Sequence, residues 1–270
     1  MIELFEQDVK KDERQSSKGN QLKWENNNIW YKSDYTGYEG LSEYVISHLL
    51  KYSNLKDDEF VLYEPVEIKY KNQIYKGASS NNFLEDGWSI ITLERLFKNY
   101  FGKSLHSAIW MLHEPKDRLK FIVDNVEKIT GLKEFGKYMN KILTIDALFL
   151  NEDRHTHNIA ILMNDNNEFK YCPIFDNGAG LLSDITMDYP LDEDLYKLID
   201  SVKGKTFSNN LEEQMEISEE LYKMNLKFSF NKKDVESLLS SDGASIYSEE
   251  IRNRIKNIIF EQMRRYPYLF

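Results

Sequence analysis

The chain has 270 residues, enough for one large domain or two modest lobes, and 41% hydrophobic with 13% aromatic residues marks a folded globular protein. Its net charge of −10 excludes gripping nucleic acid as the main task, and the single Cys172 excludes an internal disulfide framework. No apolar run approaches the ~18 residues of a membrane-spanning helix, and the charged opening MIELFEQDVKKDER lacks a signal-peptide core, so a cytoplasmic location is expected.

Residues 28–31, 59–63 and 66–70 read as short strands between polar turns. A helix is predicted over residues 41–52, with Tyr44, Val45, Leu49 and Leu50 at helical spacing. The small and polar stretch 77–87, GASSNNFLEDG, reads as a connector. Beyond it, apolar residues recur every three or four positions in 92–100, 104–113, 116–128 and 133–150, which predicts four helices. Gly131 stands where a helix C-cap needs it, and residues 133–150 carry Phe135, Tyr138, Met139, Ile142 and Leu143 on one stripe. Two strands follow, 159–163 and 169–173, joined by the turn NDNNE. After a long irregular segment, helices return over 210–225, 231–239 and 247–266, the last capped by Ser248. The order predicts an α+β, bilobal protein-kinase-like fold. Its small β-rich lobe with one helix takes residues 1–80, and its larger, mainly helical lobe takes 81–270.

The chemistry concentrates in NEDRHTHN, residues 151–158, just after the strongest helix, and in PIFDNGAG, just after the hairpin. Phosphoryl transfer requires a carboxylate to orient the attacking hydroxyl and oxygen ligands for Mg²⁺ near a triphosphate. Asp153 followed by Asn158 supplies both from one loop, and the hairpin returns the chain so that Asp176 faces the same metal. A lone Asp-x-x-x-x-Asn is an ordinary solvated loop; the helix before it, the hairpin after it and Phe175 beside the second Asp give it meaning.

DALFLNEDRHTHN (residues 146–158) with PIFDNGAGL (173–181) resembles the signature of HipA-like serine/threonine kinases, including the short CtkA-like members, and echoes the D-R-H-x-x-N loop of phosphoinositide kinases. The resemblance implies Asp153 as catalytic base and Asn158 with Asp176 as Mg²⁺ ligands. SSKGNQLK, residues 16–23, resembles the family's S-x-x-G-x-Q-x-K phosphate loop, which assigns Gly19, Gln21 and Lys23 to ATP and makes Ser16 and Ser17 candidates for autophosphorylation. Residues 203–215 resemble a family segment that follows the metal-binding aspartate. Lys32 matches the strand lysine that contacts phosphates, and Glu43, on the following helix, is placed to pair with it. His155 is implied as a brace of the catalytic loop, while His157 reads as exposed.

Some roles stay open. Asp146 either anchors the loop or occupies a polar helix face, and Arg154 meets either a phosphorylated residue or a nearby carboxylate. Trp88 is a candidate for the adenine pocket. The absence of G-x-G-x-x-G excludes the eukaryotic protein-kinase subclass, and the chain is too short for the extra N-terminal subdomain of the family's larger members. The expected partners are ATP, Mg²⁺, a protein with a serine or threonine hydroxyl, and an antitoxin-type regulator, with no membrane and no nucleic acid. The alternatives are a small-molecule or lipid-headgroup kinase of the same fold, a nucleotide-binding pseudokinase, and, through His155 and His157, a zinc hydrolase.

Overall fold

A computed structural model describes residues 1–10 and 21–270. The first part of the chain builds a five-stranded sheet from β1 (Ile2–Glu3), β2 (Lys23–Asn26), β3 (Ile29–Ser33), β4 (Glu64–Tyr70) and β5 (Gln73–Asn81), in the order β1-β4-β5-β3-β2. Only the β1–β4 pair is parallel; the others are antiparallel neighbours. The helix α1 (Glu39–Leu50) lies against this sheet and buries Leu41, Val45, Ile46, Leu49 and Leu50.

Two glycines set how closely α1 approaches. A Cβ on Gly40 would lie 2.4 Å from the Gly77 carbonyl carbon, and one on Gly77 would lie 2.0 Å from the Lys32 carbonyl oxygen. Glycine at 77 is therefore a packing requirement of a central strand. The expected connector over 77–87 is corrected accordingly: its first half completes β5, and only the residues after Asn81 link onward. The expected strand over 59–63 does not form in the sheet. Phe60 instead makes an isolated parallel bridge to Ile174, with Val61 N–H donating to the Ile174 carbonyl at 3.0 Å, because this stretch runs past the chain returning from the hairpin.

The rest is mainly helical. A three-stranded sheet, β6 (Trp88–Thr92), β7 (Ala160–Asn164) and β8 (Phe169–Tyr171), contains the expected hairpin, with β6 added on its other edge. The helices α2 (Leu93–Phe101), α3 (Leu105–Trp110), α4 (Pro115–Thr130) and α5 (Phe135–Phe149) precede β7. After β8 come α6 (Leu195–Ser201), α7 (Leu211–Tyr222), α8 (Lys232–Leu239) and α9 (Glu249–Arg265). Thr92, Ser104 and Ser248 cap α2, α3 and α9 by accepting backbone N–H groups, and Gly131 ends α4 at φ 71°.

α5 is the spine of the core. It packs against α4, α7 and α9 and buries Phe135, Met139, Ile142, Leu143, Ile145, Leu148 and Phe149. Each such side chain contributes roughly 1.5–3 kcal/mol, so the end of α5, where the NEDRHTHN loop begins, is held in place. Among the described residues no helix is long and apolar enough to cross a membrane.

Candidate functional site

The loop after α5 is organised by one buried ion pair. Asp146, on the last turn of α5, accepts from Arg154 Nε at 3.1 Å and from Asn151 Nδ2 at 2.9 Å. Arg154 spends its remaining donors on the Asn158 carbonyl (3.2 Å), the Phe175 carbonyl (2.8 Å) and Asn177 Oδ1 (2.6 Å). It is 2% exposed. Burial works against both charges, and the Asp146–Arg154 attraction opposes it; the carboxyl ends above its ordinary range and the guanidinium is held protonated. This resolves both open roles: Arg154 meets a carboxylate, and Asp146 anchors the loop. The guanidinium fastens the backbone of the 151–158 loop to Phe175 and Asn177, the two neighbours of Asp176.

That fastening aims Asp153. Its carboxylate receives Asn158 Nδ2 on Oδ2 at 3.2 Å and Lys205 Nζ on Oδ1 at 3.2 Å. Asn158 Nδ2 also donates to the Asp153 carbonyl at 2.8 Å, which leaves Asn158 Oδ1 as the atom that could face a cation. His155 closes the turn: its N–H donates to the Asp153 carbonyl at 3.0 Å, and its Nδ1 accepts from His157 N at 3.2 Å. Its Nε2 lies 3.9 Å from Asp153 Oδ1. Burial pushes the imidazole down, against the pull of Asp153, so His155 is held in its neutral form. His157 is exposed. Among the described residues no three His, Cys, Asp or Glu side chains converge as a metal cluster, and His48 and His106 sit apart on α1 and α3.

The second centre is Lys32. From β3 its Nζ reaches Glu43 Oε1 on α1 at 3.2 Å and Asp176 Oδ1 at 2.8 Å, joining residues 11 and 144 positions away. Glu43 Oε2 in turn accepts the Asn177 N–H at 2.9 Å. Burial alone would lower the Lys32 ammonium, but the Asp176 charge and, behind it, Glu43 raise it well above its ordinary value. Burial raises Glu43, with Lys32 opposing, whereas at Asp176 the charges of Lys32 and Lys23 overcome burial and hold the carboxyl low. Asp176 adopts φ 62°, a left-handed conformation that costs a non-glycine residue on the order of 1 kcal/mol, and it keeps 33% of its side chain exposed.

Lys23 lies directly across from Lys32 in the β2–β3 register, and Gln21 Nε2 donates to the Ser33 carbonyl at 2.8 Å. Ser16, Ser17 and Gly19 lie outside the described residues. Between the two sheets, Val61, Tyr63 and Ala78 form a small apolar cluster with Phe83 and Phe175, whose ring centroids are 6.1 Å apart. Trp88 packs on the adjoining cluster of Ala160, Leu162 and Cys172, with Lys170 Nζ 4.1 Å from its ring centroid.

Sequence reasoning missed Lys205 and the Glu94–Thr156 contact. Glu94, on α2, accepts from Leu105 N, His106 N and Thr156 Oγ1 at 3.1, 2.9 and 3.0 Å, tying the 151–158 loop to the start of α3. Neither has a local pattern to betray it, since each contact joins residues more than fifty positions apart.

The fold matches that of a kinase. Superposition on the crystal structure of the Helicobacter pylori proinflammatory kinase CtkA gives a TM-score of 0.60 at 17% identity, over 95% of this chain and 92% of that one. A weaker match, TM-score 0.39 at 13% identity, covers 95% of this chain and 57% of a chain in the HipA, HipB and operator DNA complex of the Shewanella oneidensis MR-1 toxin–antitoxin system. No protein-family model and no curated protein matches the sequence. The likeness to the Helicobacter enzyme therefore establishes the fold, which is the one implied by the resemblance of the motifs to the short CtkA-like kinases.

Proposed function

We propose that the chain is a bilobal, ATP- and Mg²⁺-dependent serine/threonine protein kinase of HipA-like type, with residues 1–80 as the small lobe and 81–270 as the large one. The observation that carries this reading is the Lys32 junction, where a strand lysine, a helix glutamate and the aspartate after the hairpin meet within 3.2 Å. Two carboxylates gather around the Lys32 ammonium at a partly exposed position, with the Lys23 charge acting on Asp176 from the neighbouring strand, and this mix of oxygen ligands and ammoniums suits a cation with a phosphate chain beside it.

In this reading Lys32, steadied by Glu43, holds phosphate oxygens, and Lys23 adds positive charge from the neighbouring strand. Asn158 Oδ1 and the Asp176 carboxylate are hard oxygen donors of the kind Mg²⁺ requires, and the ion when bound neutralises charge on the phosphates. Phe83, Phe175, Val61 and Ala78 offer an apolar slot for the adenine. Asp153, fixed on both oxygens, orients the acceptor hydroxyl and takes up its proton. Gly19 and Gln21 belong to the phosphate loop, and Ser16 or Ser17 is its autophosphorylation site; both assignments rest on the sequence resemblance. An antitoxin-type regulatory partner rests on that resemblance too, while a cytoplasmic location rests on the charged opening and the lack of a long apolar run in the sequence.

The test is incubation with γ-labelled ATP and Mg²⁺, alone and with cell lysate, beside Asp153→Asn. Label on the wild type that disappears in the variant is the expected result, with ATP affinity nearly unchanged. Full activity in Asp153→Asn would overturn the assignment. Binding of Mg-ATP without any transfer would favour a pseudokinase or a kinase of small molecules. Phosphate on neither Ser16 nor Ser17 by mass spectrometry would remove autophosphorylation from the reading.

A further inference from the structure

Lys205 comes from a segment far along the chain from both the 151–158 loop and the Lys32 junction, yet its ammonium stands 3.2 Å from Asp153 Oδ1. The turn that delivers it is built for the purpose. Thr206 Oγ1 donates to the Arg154 carbonyl at 2.5 Å, one residue from Asp153. Gly204 N–H donates to the Asn209 carbonyl at 3.1 Å, and Phe207 N–H to Gln214 Oε1 at 3.3 Å. A Cβ on Gly204 would lie 1.9 Å from Gln214 Nε2, so the tight turn admits no side chain there. The backbone is thus pinned while the Lys205 side chain stays 41% exposed and able to shift. Arg154, which braces the loop, is buried, whereas Lys205 reaches the same loop from the solvent side.

We propose that Lys205 is a catalytic residue of phosphoryl transfer, a second cation that contacts the migrating phosphoryl group from the acceptor side; this rests on the kinase reading above. Lys32 sits at the Asp176 end of the site and Lys205 at the Asp153 end. Before transfer, Lys205 and Asp153 form a neutral pair, held for the acceptor hydroxyl. As the acceptor oxygen bonds to the γ-phosphorus, the bond from that phosphorus to the bridging oxygen breaks and its electron pair leaves with ADP. The acceptor proton passes to Asp153. The carboxylate is then neutral, and the Lys205 ammonium is released to the oxygens of the transferred phosphoryl group. Proton transfer is late in a loose transition state, so pairing Lys205 with Asp153 beforehand costs little basicity when bond breaking begins. The interaction strengthens only as charge moves, which lowers the barrier without tightening nucleotide binding.

The experiment compares Lys205→Met, Lys205→Gln and Lys205→Arg in the full chain, measuring steady-state transfer, Mg-ATP affinity by calorimetry and melting temperature. The methionine and glutamine variants should lose about 100-fold in kcat with Mg-ATP affinity changed less than about 3-fold, and arginine should recover most of the loss. Adding Lys205→Met to Asp153→Asn should cost little more than Asp153→Asn alone, since the two act as a unit. A kcat within about 3-fold of wild type in folded Lys205→Met and Lys205→Gln would overturn the proposal. So would equal losses in kcat and Mg-ATP affinity. A wild type that binds Mg-ATP and transfers nothing would fell the kinase reading itself, an outcome visible before any Lys205 variant is compared.

Discussion

Two charged clusters lie on either side of residues 175–177, and they are built on opposite principles. Around Arg154 every charge is answered: one guanidinium, one carboxylate, two carbonyls and an amide oxygen, all at bonding distance and nearly without solvent. Around Lys32 the charges stay open to solvent. Two carboxylates gather around the ammonium, Lys32 and Asp176 keep 17% and 33% of their side chains exposed, and Asp176 holds a left-handed backbone. A sealed cluster fixes shape, and an exposed, strained cluster invites a ligand. Both contain motif residues, so the difference comes from geometry and burial.

The first way to break this contrast is Arg154→Met. It strands Asp146 in the core and releases two carbonyls and the Asn177 amide, so stability should fall by about 3–5 kcal/mol, with activity lost through unfolding. Denaturant titration measures it. A loss below about 1 kcal/mol, typical of surface pairs, would mean that the cluster is not the brace described here.

Asp34 offers an intermediate case. Its carboxylate accepts Gly40 N–H at 2.6 Å and the Tyr247 hydroxyl at 2.8 Å, linking the start of α1 to the chain before α9, and among the described residues no cation bonds to it. Burial, followed by the Glu39 charge, pushes it up to about 7, with Gly40, Tyr247 and Lys76 opposing. A carboxyl raised on folding contributes its full stability below the unfolded value of about 3.9 and loses it as pH rises toward 7. Asp34→Asn keeps an acceptor for Gly40 and removes the titration. Its stability relative to wild type should therefore climb by roughly 2–4 kcal/mol between pH 4 and 7.5. The carboxyls of Asp176 and Glu261, both held low, act at more acidic pH, outside that window. A difference between variant and wild type that stays flat across the window would show that Asp34 is not buried as a proton carrier.

How much of this could be read from the amino acids depended on what kind of signal each part left. α5 and the hairpin declared themselves because their apolar spacing is long and regular. β5 did not, since Gly77 admits no side chain where α1 and β3 press on it, and the small residues around it read as a linker. α6 hid for a different reason: seven residues after an acidic stretch carry too few turns to show a period. Asp153, Asn158 and Asp176 stood out as candidates through their spacing and their neighbours. The choice between phosphate and carboxylate for Arg154 was not legible, because spacing carries no information on burial. Lys205 was invisible as a site residue, since its contact with Asp153 spans 52 positions.

Asp176→Asn sharpens the comparison most finely, because it separates holding shape from holding a ligand within one residue. The amide loses a charge-assisted bond to Lys32, which costs about 1.5–3 kcal/mol in isolation. It also ends the repulsion between Asp176 and Glu43, which offsets part of that cost, and Lys32 keeps Glu43 as its partner. The net change in stability should therefore be small, about 1–2 kcal/mol, well below that of Arg154→Met. Mg-ATP affinity should nevertheless fall by at least about tenfold, since a charged oxygen ligand proposed for the ion becomes a neutral amide. Calorimetric titration with Mg-ATP beside denaturant titration reads both quantities. Were stability to fall as far as in Arg154→Met while affinity held, the Lys32 junction would be a second brace, and the ligand would have to be sought nearer Asp153.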